Sequence, residues 1–113
     1  MASTCCDHSI EVKRVKEKLI EEETLYDIAE LFKAFADTTR IKIISVLKEE
    51  ELCVGAISEL LNISQSAISH QLRALKNAKI VKHTRHGKQI FYTLDDEHIK
   101  KIYDMGLEHI TKG

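Results

Sequence analysis

Proline and tryptophan are absent from this chain of 113 residues, and glycine occurs only four times. Because proline and glycine interrupt helices most strongly, their scarcity favours long helices with few breaks. No apolar run approaches the roughly 18 residues that a membrane span needs. The first residues lack the charged start and apolar stretch of a secretory signal, which makes the cytoplasm the expected compartment. The length predicts one domain whose small core favours pairing with a second copy.

Cysteine is also scarce, with an adjacent pair, Cys5 and Cys6, and a third residue at Cys53. An odd number of thiols in a reducing compartment does not indicate a disulfide framework. Such thiols more often bind metals, take part in redox chemistry or are simply packed. The sequence also lacks a glycine-rich phosphate loop and a nucleophile elbow, so it does not predict an enzyme.

One long segment lacks acidic residues altogether. The formal net charge is −1, yet the residues from Ser64 to Ile90 include six Lys or Arg and no Asp or Glu. The acidic excess lies elsewhere, in the triplets at 21–23 and 49–51. A segregated basic segment on a nearly neutral protein is typical of a polyanion partner, although a solvated charged surface would explain it as well.

The apolar periodicity predicts a mainly α protein with a β-hairpin wing. The helices are expected from 9 to 20, and then from Thr24, from Asp37 or Thr38, from Cys53, from Ser64 and from Asp96 onwards. Ser9, Thr24, Ser64 and Asp96 are the candidate N-caps of their helices. After Asn77 the period changes from 3.6 to 2, which predicts strands at 80–85 and 89–94 around a turn at Gly87.

A short helix, a tight turn, a second helix and a hairpin together predict a winged helix-turn-helix. The second helix has an apolar stripe, and its other side carries hydroxyl, amide and basic groups that suit base edges and phosphates in a major groove. The basic hairpin tip suits neighbouring phosphates or a minor groove. The predicted DNA contacts are Ser64, Gln65, Ser66, Ser69, His70, Arg73, Lys76, Arg85, His86 and Lys88. The alternative is a winged helix that serves protein interaction or metal buffering.

Three stretches carry a resemblance to a known family. "LNISQSAISHQLRALKNAKIV" resembles the DNA-reading helix of the ArsR/SmtB family of metal-sensing winged-helix repressors, and "GKQIFYTLDDEHI" resembles its wing. The preceding "LFKAFADTTRIKIISVL" resembles its earlier helices, so the likeness covers roughly residues 24–112. It implies a homodimer that binds an inverted repeat in double-stranded DNA, represses metal-resistance genes and releases the operator when an inducer metal binds. Residues 1–23 are then expected to form a tail and arm helix, and residues 24–113 the winged domain with a C-terminal dimerisation helix.

Asp96, His98 and His109 are one group of candidate metal ligands, because carboxylate and imidazole suit zinc. The two histidines are eleven residues apart, so on a helix they share a face but lie about 16 Å apart. They cannot bind one ion within one chain, whereas antiparallel final helices in a dimer would bring both ends together. The resemblance implies a fourth ligand where this chain has Lys112, a poor donor. Alternatively, Asp96 only caps the helix and the histidines are surface residues.

Cys5, Cys6, His8 and Cys53 form a second group, because thiolates select soft or borderline ions. "ELCVG" resembles the "ELCVC" of the family's cadmium- and lead-sensing branch, which implies that Cys53 combines with tail cysteines of a second copy. Gly55 stands in place of that branch's other cysteine. The expected ion is Zn²⁺ or Cd²⁺, with Pb²⁺ as a further candidate. Redox, persulfide or As(III) sensing by the three thiols, and simple packing of Cys53, stay open as alternatives.

Overall fold

The computed structural model describes residues 7–112. This part of the chain forms six helices and three strands in the order α1 (Ser9–Lys16), α2 (Glu22–Phe35), α3 (Thr38–Leu47), β1 (Leu52–Cys53), α4 (Val54–Leu61), α5 (Gln65–Asn77), β2 (Val81–His86), β3 (Gln89–Leu94) and α6 (Glu97–Thr111). The chain divides into two compact units, one up to Glu30 and one from Leu31 onwards. Among the described helices, none has the length and apolar character needed to cross a membrane.

The first unit corrects two predicted helix starts. His8, not Ser9, is the N-cap of α1, because the Ser9 N–H lies inside the helix and donates to Asp7 Oδ1 at 3.1 Å. The helix ends at Lys16 instead of residue 20, since the chain then tightens into bonds of the 3₁₀ type. Helix α2 begins at Glu22, ahead of the expected Thr24, and its acidic first turn suits the positive end of the helix dipole.

The second unit has one hydrophobic core, to which α2 through α6, β2 and β3 all contribute. Its buried residues are Ala34, Phe35, Ile43, Ile44, Leu47, Ile57, Ile68, Leu72, Leu75, Ile80, Val81, Leu94 and Ile99. Asp37 caps α3 by accepting from the Arg40 N–H at 3.1 Å, as its position predicts. Helices α4 and α5 therefore pack on a rigid base, and the predicted stripe of α5 is fully buried.

The sheet has three antiparallel strands in the order β1-β3-β2. The two predicted strands are confirmed, with β2 beginning at Val81, one residue later than expected. The expectation that Cys53 begins a helix is wrong: Cys53 pairs with Phe91 in β1 and is the N-cap of α4. Pairing with β3 satisfies backbone groups of this short segment that a helix start would leave open.

Helix α6 lies against α3 and β3. Ile99 is buried, and Ile102 and Tyr103 are half-buried against the core. Lys48, which caps the C-terminal end of α3, lies 3.4 Å from Asp104 Oδ1 and 5.4 Å from the centre of the Tyr103 ring. Desolvation alone would lower the pKa of Lys48, but the carboxylates of Asp104 and Glu49 outweigh it and raise the pKa above its ordinary value. This contact fixes one face of α6, while its opposite face stays exposed.

Candidate nucleic-acid interface and metal ligands

A three-residue turn joins α4 to α5. Asn62 adopts a left-handed conformation with φ of 57°, which ends α4 and turns the chain sharply. The Ser64 side chain then caps α5 by accepting from the Ala67 N–H at 3.2 Å. Ser64 is the cap that the sequence predicts. The turn sets the start of α5 where its free N–H groups and positive dipole end face outward.

The polar side of α5 is exposed to solvent. Ile68, Leu72 and Leu75 are buried, and the seven predicted DNA contacts from Ser64 to Lys76 are all exposed. Arg40 of α3 donates from Nε to Gln71 Oε1 at 2.9 Å, which fixes α5 against the core from the side. A helix held this way presents its polar face as a rigid surface, as insertion in a major groove requires.

The wing is a hairpin of β2 and β3 whose turn begins at Gly87, with φ of 67°. Arg85 and Lys88 are exposed at its tip, as predicted. His86 is also exposed, but its Nε2 lies 3.6 Å from Glu51 Oε2, and its ring packs 5.2 Å from that of Phe91. In the sequence, Glu51 is only the last residue of the acidic triplet at 49–51. Its contact with the wing cannot be predicted from neighbouring residues, because 35 residues separate it from His86.

Asp96 makes two kinds of contact at the start of α6. Its Oδ1 accepts from the N–H groups of His98 at 2.9 Å and Ile99 at 3.3 Å, which makes it the N-cap. Its Oδ2 lies 3.4 Å from His98 Nδ1. Desolvation by itself would raise the pKa of Asp96, but hydrogen bonds from the His98 side chain and from the two backbone N–H groups outweigh it. The pKa of Asp96 is therefore below its ordinary value of 3.8.

The separation of Asp96 Oδ2 and His98 Nδ1 fits a bound metal ion. Two donors that are each about 2.0–2.1 Å from a tetrahedral zinc ion lie about 3.3 Å from each other, and the observed distance is 3.4 Å. A carboxylate and an imidazole are also a chemically suitable pair for zinc or cadmium. The same spacing serves the hydrogen bond from the His98 side chain to Asp96, so an ion would take the place of the proton between these two atoms.

His109 lies far from this pair in the same chain. It lines an open groove of about 730 Å³ along α6, together with His98 and apolar residues that include Phe32, Met105 and Ile110. The histidines therefore share a face, but about 16 Å separates them along the helix axis. Within residues 7–112, no three His, Cys, Asp or Glu side chains converge on a point that could hold an ion. Lys112 is exposed just beyond the helix end.

Only part of the predicted thiol group can be located. Cys5 and Cys6 lie outside the described residues, and His8 is exposed in the first unit. Cys53 is a half-buried free thiol in the second unit. A Cβ at Gly55 would lie 3.9 Å from Cys53 Sγ and 3.8 Å from Gln65 Nε2, so position 55 is next to both the thiol and the first residue of α5.

Residues 37–83, from the cap of α3 to the third residue of β2, match the family described as "Bacterial regulatory protein, arsR family". The cadmium resistance transcriptional regulatory protein CadC homolog of Staphylococcus aureus is 41% identical over 103 residues, which are 90% of this chain and 84% of that protein. The chain belongs to the arsR family. An ArsR-family protein is a regulator of transcription, so the prediction that the chain is not an enzyme is confirmed.

A further relative and a solved structure extend the match over nearly the whole chain. The transcriptional repressor SmtB homolog of a Synechocystis strain is 34% identical over 106 residues, 94% of this chain and 80% of that protein. The solution structure of a homodimeric winged helix-turn-helix DNA-binding domain from Mycobacterium bovis has a TM-score of 0.71. It covers 100% of this chain and 96% of its own at 23% identity. The winged helix-turn-helix fold is confirmed.

Proposed function

We propose that this ArsR-family protein is a homodimeric repressor that binds an operator inverted repeat and releases it when a metal ion binds. The observation that carries the proposal is the placement of His98 and His109 at separate positions on one exposed apolar groove, with Asp96 Oδ2 at ligand distance from His98. Two relatives, named as a cadmium resistance regulator and a transcriptional repressor, agree with a metal-responsive repressor. Zn²⁺ and Cd²⁺ are the proposed inducers, with Pb²⁺ as a further candidate. Because a repressor must reach the DNA that it binds, we expect the protein in the cytoplasm.

DNA binding is proposed to use α5 and the wing. In α5, Gln65 and Arg73 are the side chains best suited to bidentate contacts with adenine and guanine. The serines and the helix N-terminus suit phosphates and close approach in the groove. Arg85 and Lys88 of the wing would add phosphate contacts beside the groove. His70, Lys76 and His86 complete the proposed surface.

The second copy is proposed to cover the exposed face of α6. Met105 is 68% exposed, Ile110 is 78% exposed and Phe32 at the end of α2 is 52% exposed. Monomeric proteins rarely leave such a contiguous apolar surface open to water. Two antiparallel copies of α6 would bury this face and create an interface with two-fold symmetry. Under this proposal residues 24–113 are the winged domain with its dimerisation helix, and residues 1–23 are a tail and arm helix.

The same antiparallel arrangement would complete two metal sites. Asp96 and His98 of one copy would meet His109 of the second copy, and symmetry repeats the set. His98 Nδ1 must carry no proton to act as a ligand, so binding releases any proton held at that atom. Asp96 can keep its helix cap through Oδ1 while Oδ2 turns to the ion. A bound ion would supply a cross-link that fixes the angle between the two copies.

A second route would use the thiols. Cys53, with Cys5, Cys6 and His8 as further donors, offers the soft ligands that cadmium and lead prefer. The position of Gly55 supports this route, because a Cβ there would contact both Cys53 Sγ and Gln65 Nε2, which links the thiol to the first residue of α5. Redox or persulfide chemistry at the same thiols is the alternative trigger. A winged-helix module for protein interaction or metal buffering is the alternative from another class.

Operator release is the first test. Reduced protein is bound to an inverted-repeat duplex recovered by selection from random sequence, and Zn²⁺, Cd²⁺ or Pb²⁺ is then titrated. A metal that lowers operator affinity about 150-fold, with equal weakening of metal binding by DNA, is the expected result. The absence of any sequence-selective, salt-dependent duplex binding would favour the interaction module. Release by polysulfide or oxidant, but by no metal, would favour thiol chemistry.

The shared site is tested by mixing two inactive variants. A homodimer of either His98→Ala or His109→Ala should have no complete metal site. After subunit exchange about half of the dimers are mixed, and each mixed dimer recovers one complete site of two. About a quarter of the wild-type sites should therefore return, which a metal titration of the mixture measures. No recovery in a mixture whose exchange is verified would exclude ligands shared between copies.

A further inference from the structure

Glu51 joins parts of the sheet that are not neighbours. It directly precedes β1, which pairs with β3, whereas β2 lies on the far side of β3. Yet Glu51 Oε2 accepts a hydrogen bond from Thr84 Oγ1 of β2 at 2.7 Å and lies 3.6 Å from His86 Nε2. The Glu51 carboxylate therefore ties the outer strand of the wing to the segment that leads into β1.

This tie lies on the face of the sheet that is turned away from the core. Cys53, Phe91 and Thr84 stand opposite one another in a single row across the three strands, so their side chains share one face. Val81 and Leu94, which are buried, have the other parity and point to the core face. The ring of Phe91 also contacts that of His86. Thr84 and His86, the two partners of Glu51, therefore share this face of the sheet with Cys53 and Phe91.

The wing has little else to hold it. All residues from 82 to 89 are exposed, so this outer part of the hairpin has no buried side chain to anchor it to the core. Segments with few buried contacts open easily unless another interaction restrains them. The segment from 64 to 90 contains no acidic residue, so the negative charge beside Thr84 comes from Glu51, which lies outside the wing in the sequence. A carboxylate next to a surface that is proposed to contact phosphates lowers DNA affinity. Its presence is therefore better explained by a role in holding the hairpin.

We propose that Glu51 is a positioning residue that fixes the wing relative to the rest of the domain through Thr84 and His86. The effect on operator recognition rests on the proposed function, whereas the restraint on the hairpin does not. Glu51 acts on DNA only through the wing and is not itself expected to contact the duplex. The carboxylate oxygen that receives the Thr84 hydroxyl is the essential group.

Hydrogen exchange of the wing amides tests the restraint directly in the full chain. Glu51→Ala should speed exchange at residues 84–88 by about two- to tenfold, the range that one net hydrogen bond supports. Thr84→Val should speed exchange by the same factor. The double variant should exchange little faster than either single variant, because the two substitutions remove the same interaction. Glu51→Gln keeps an acceptor oxygen and should exchange nearly as slowly as the wild type. Glu50→Ala is the matched control for the lost charge and should leave the wing unchanged.

Equal exchange in Glu51→Ala and Glu50→Ala would overturn the proposal, as would a failure of Glu51→Gln to restore slow exchange. Duplex binding then separates this inference from the proposed function. Glu51→Ala should lower the ratio of operator to unrelated-duplex affinity about threefold or more, whereas Glu50→Ala should leave the ratio unchanged. Faster exchange with an unchanged ratio would support the restraint and remove the wing from operator recognition. If the wild type binds no duplex selectively, the proposed function fails while the exchange result still decides the role of Glu51.

Discussion

Replacing Asp96 separates the cap of α6 from the proposed metal site. Oδ1 of Asp96 caps the N–H groups of His98 and Ile99, while Oδ2 faces His98 Nδ1. Asparagine is about as good an N-cap as aspartate but has no negative charge and is a weaker metal ligand. Asp96→Asn should therefore keep the helix and weaken metal binding. Asp96→Ala should lose both functions.

The expected magnitudes differ clearly between the two variants. Loss of an N-cap costs about 1 kcal/mol, within a range of roughly 0.5–2 kcal/mol, so Asp96→Ala should lower Tm by about 4–8 °C. Asp96→Asn should lose no more than about 0.5 kcal/mol, the usual size of a charge interaction with a helix end. Metal affinity should fall at least tenfold in both, because each removes the same carboxylate ligand. Urea unfolding followed by circular dichroism, at one protein concentration without metal, measures the first quantity, and competition with a chelating dye measures the second.

The pH dependence supplies a further check. The pKa of Asp96 in the folded protein is below its ordinary value. A group with a lowered folded-state pKa contributes stability above its unfolded pKa, and that contribution is lost as pH falls through the folded value. The stability difference between wild type and Asp96→Asn should therefore be present at neutral pH and shrink in acid below about pH 4. Equal unfolding free energies for Asp96→Asn and Asp96→Ala, or unchanged metal affinity in Asp96→Asn, would refute the assignment of two functions to this side chain.

Three further predictions concern other parts of the molecule. Gly55→Cys should fold normally, because a Cβ there meets only ordinary contacts. The added thiol should raise Cd²⁺ affinity and the thiolate-to-cadmium absorption. Unchanged absorption would show that a thiol at position 55 does not bind the same ion as Cys53. Arg73→Ala should weaken operator binding by about 1–3 kcal/mol and relax preference at one base pair, as measured by competition among operator variants. A loss that is equal for all duplexes would make Arg73 a phosphate contact instead. Ile110→Lys should shift the protein towards monomer in analytical ultracentrifugation, and an unchanged dimer would place the interface elsewhere.

The sequence predicts local features of the fold well where a side chain acts on its own neighbourhood. Asp37, Ser64 and Asp96 all cap the helices expected of them, because a short oxygen-bearing side chain at a helix start has a suitable N–H close by. The α5 stripe follows from the helical period alone. The cap predicted at Ser9 fails since Asp7, two residues earlier, already accepts from the Ser9 N–H. Competition between nearby acceptors cannot be resolved from spacing.

Features that depend on distant pairing are not accessible in the same way. Strand β1 has two residues, too few to show a period, and exists because β3 pairs with it from about 40 positions away along the chain. The contact between Glu51 and Thr84 depends on that pairing in turn. In the first group of candidate metal ligands, the eleven-residue spacing predicts that His98 and His109 share a face of the helix. Both histidines line one groove. The convergence of Asp96, His98 and His109 stays a prediction, because it depends on a second copy.

The position of Gly55 has an evolutionary consequence. A single methyl group there would touch both the thiol of Cys53 and the amide of Gln65. A point mutation at this one position can therefore alter the proposed thiol site and the first residue of the proposed DNA-reading helix at once, with no change in chain length or topology. Under this proposal, the signal that a regulator on this scaffold answers to and the way it reads DNA are linked through position 55.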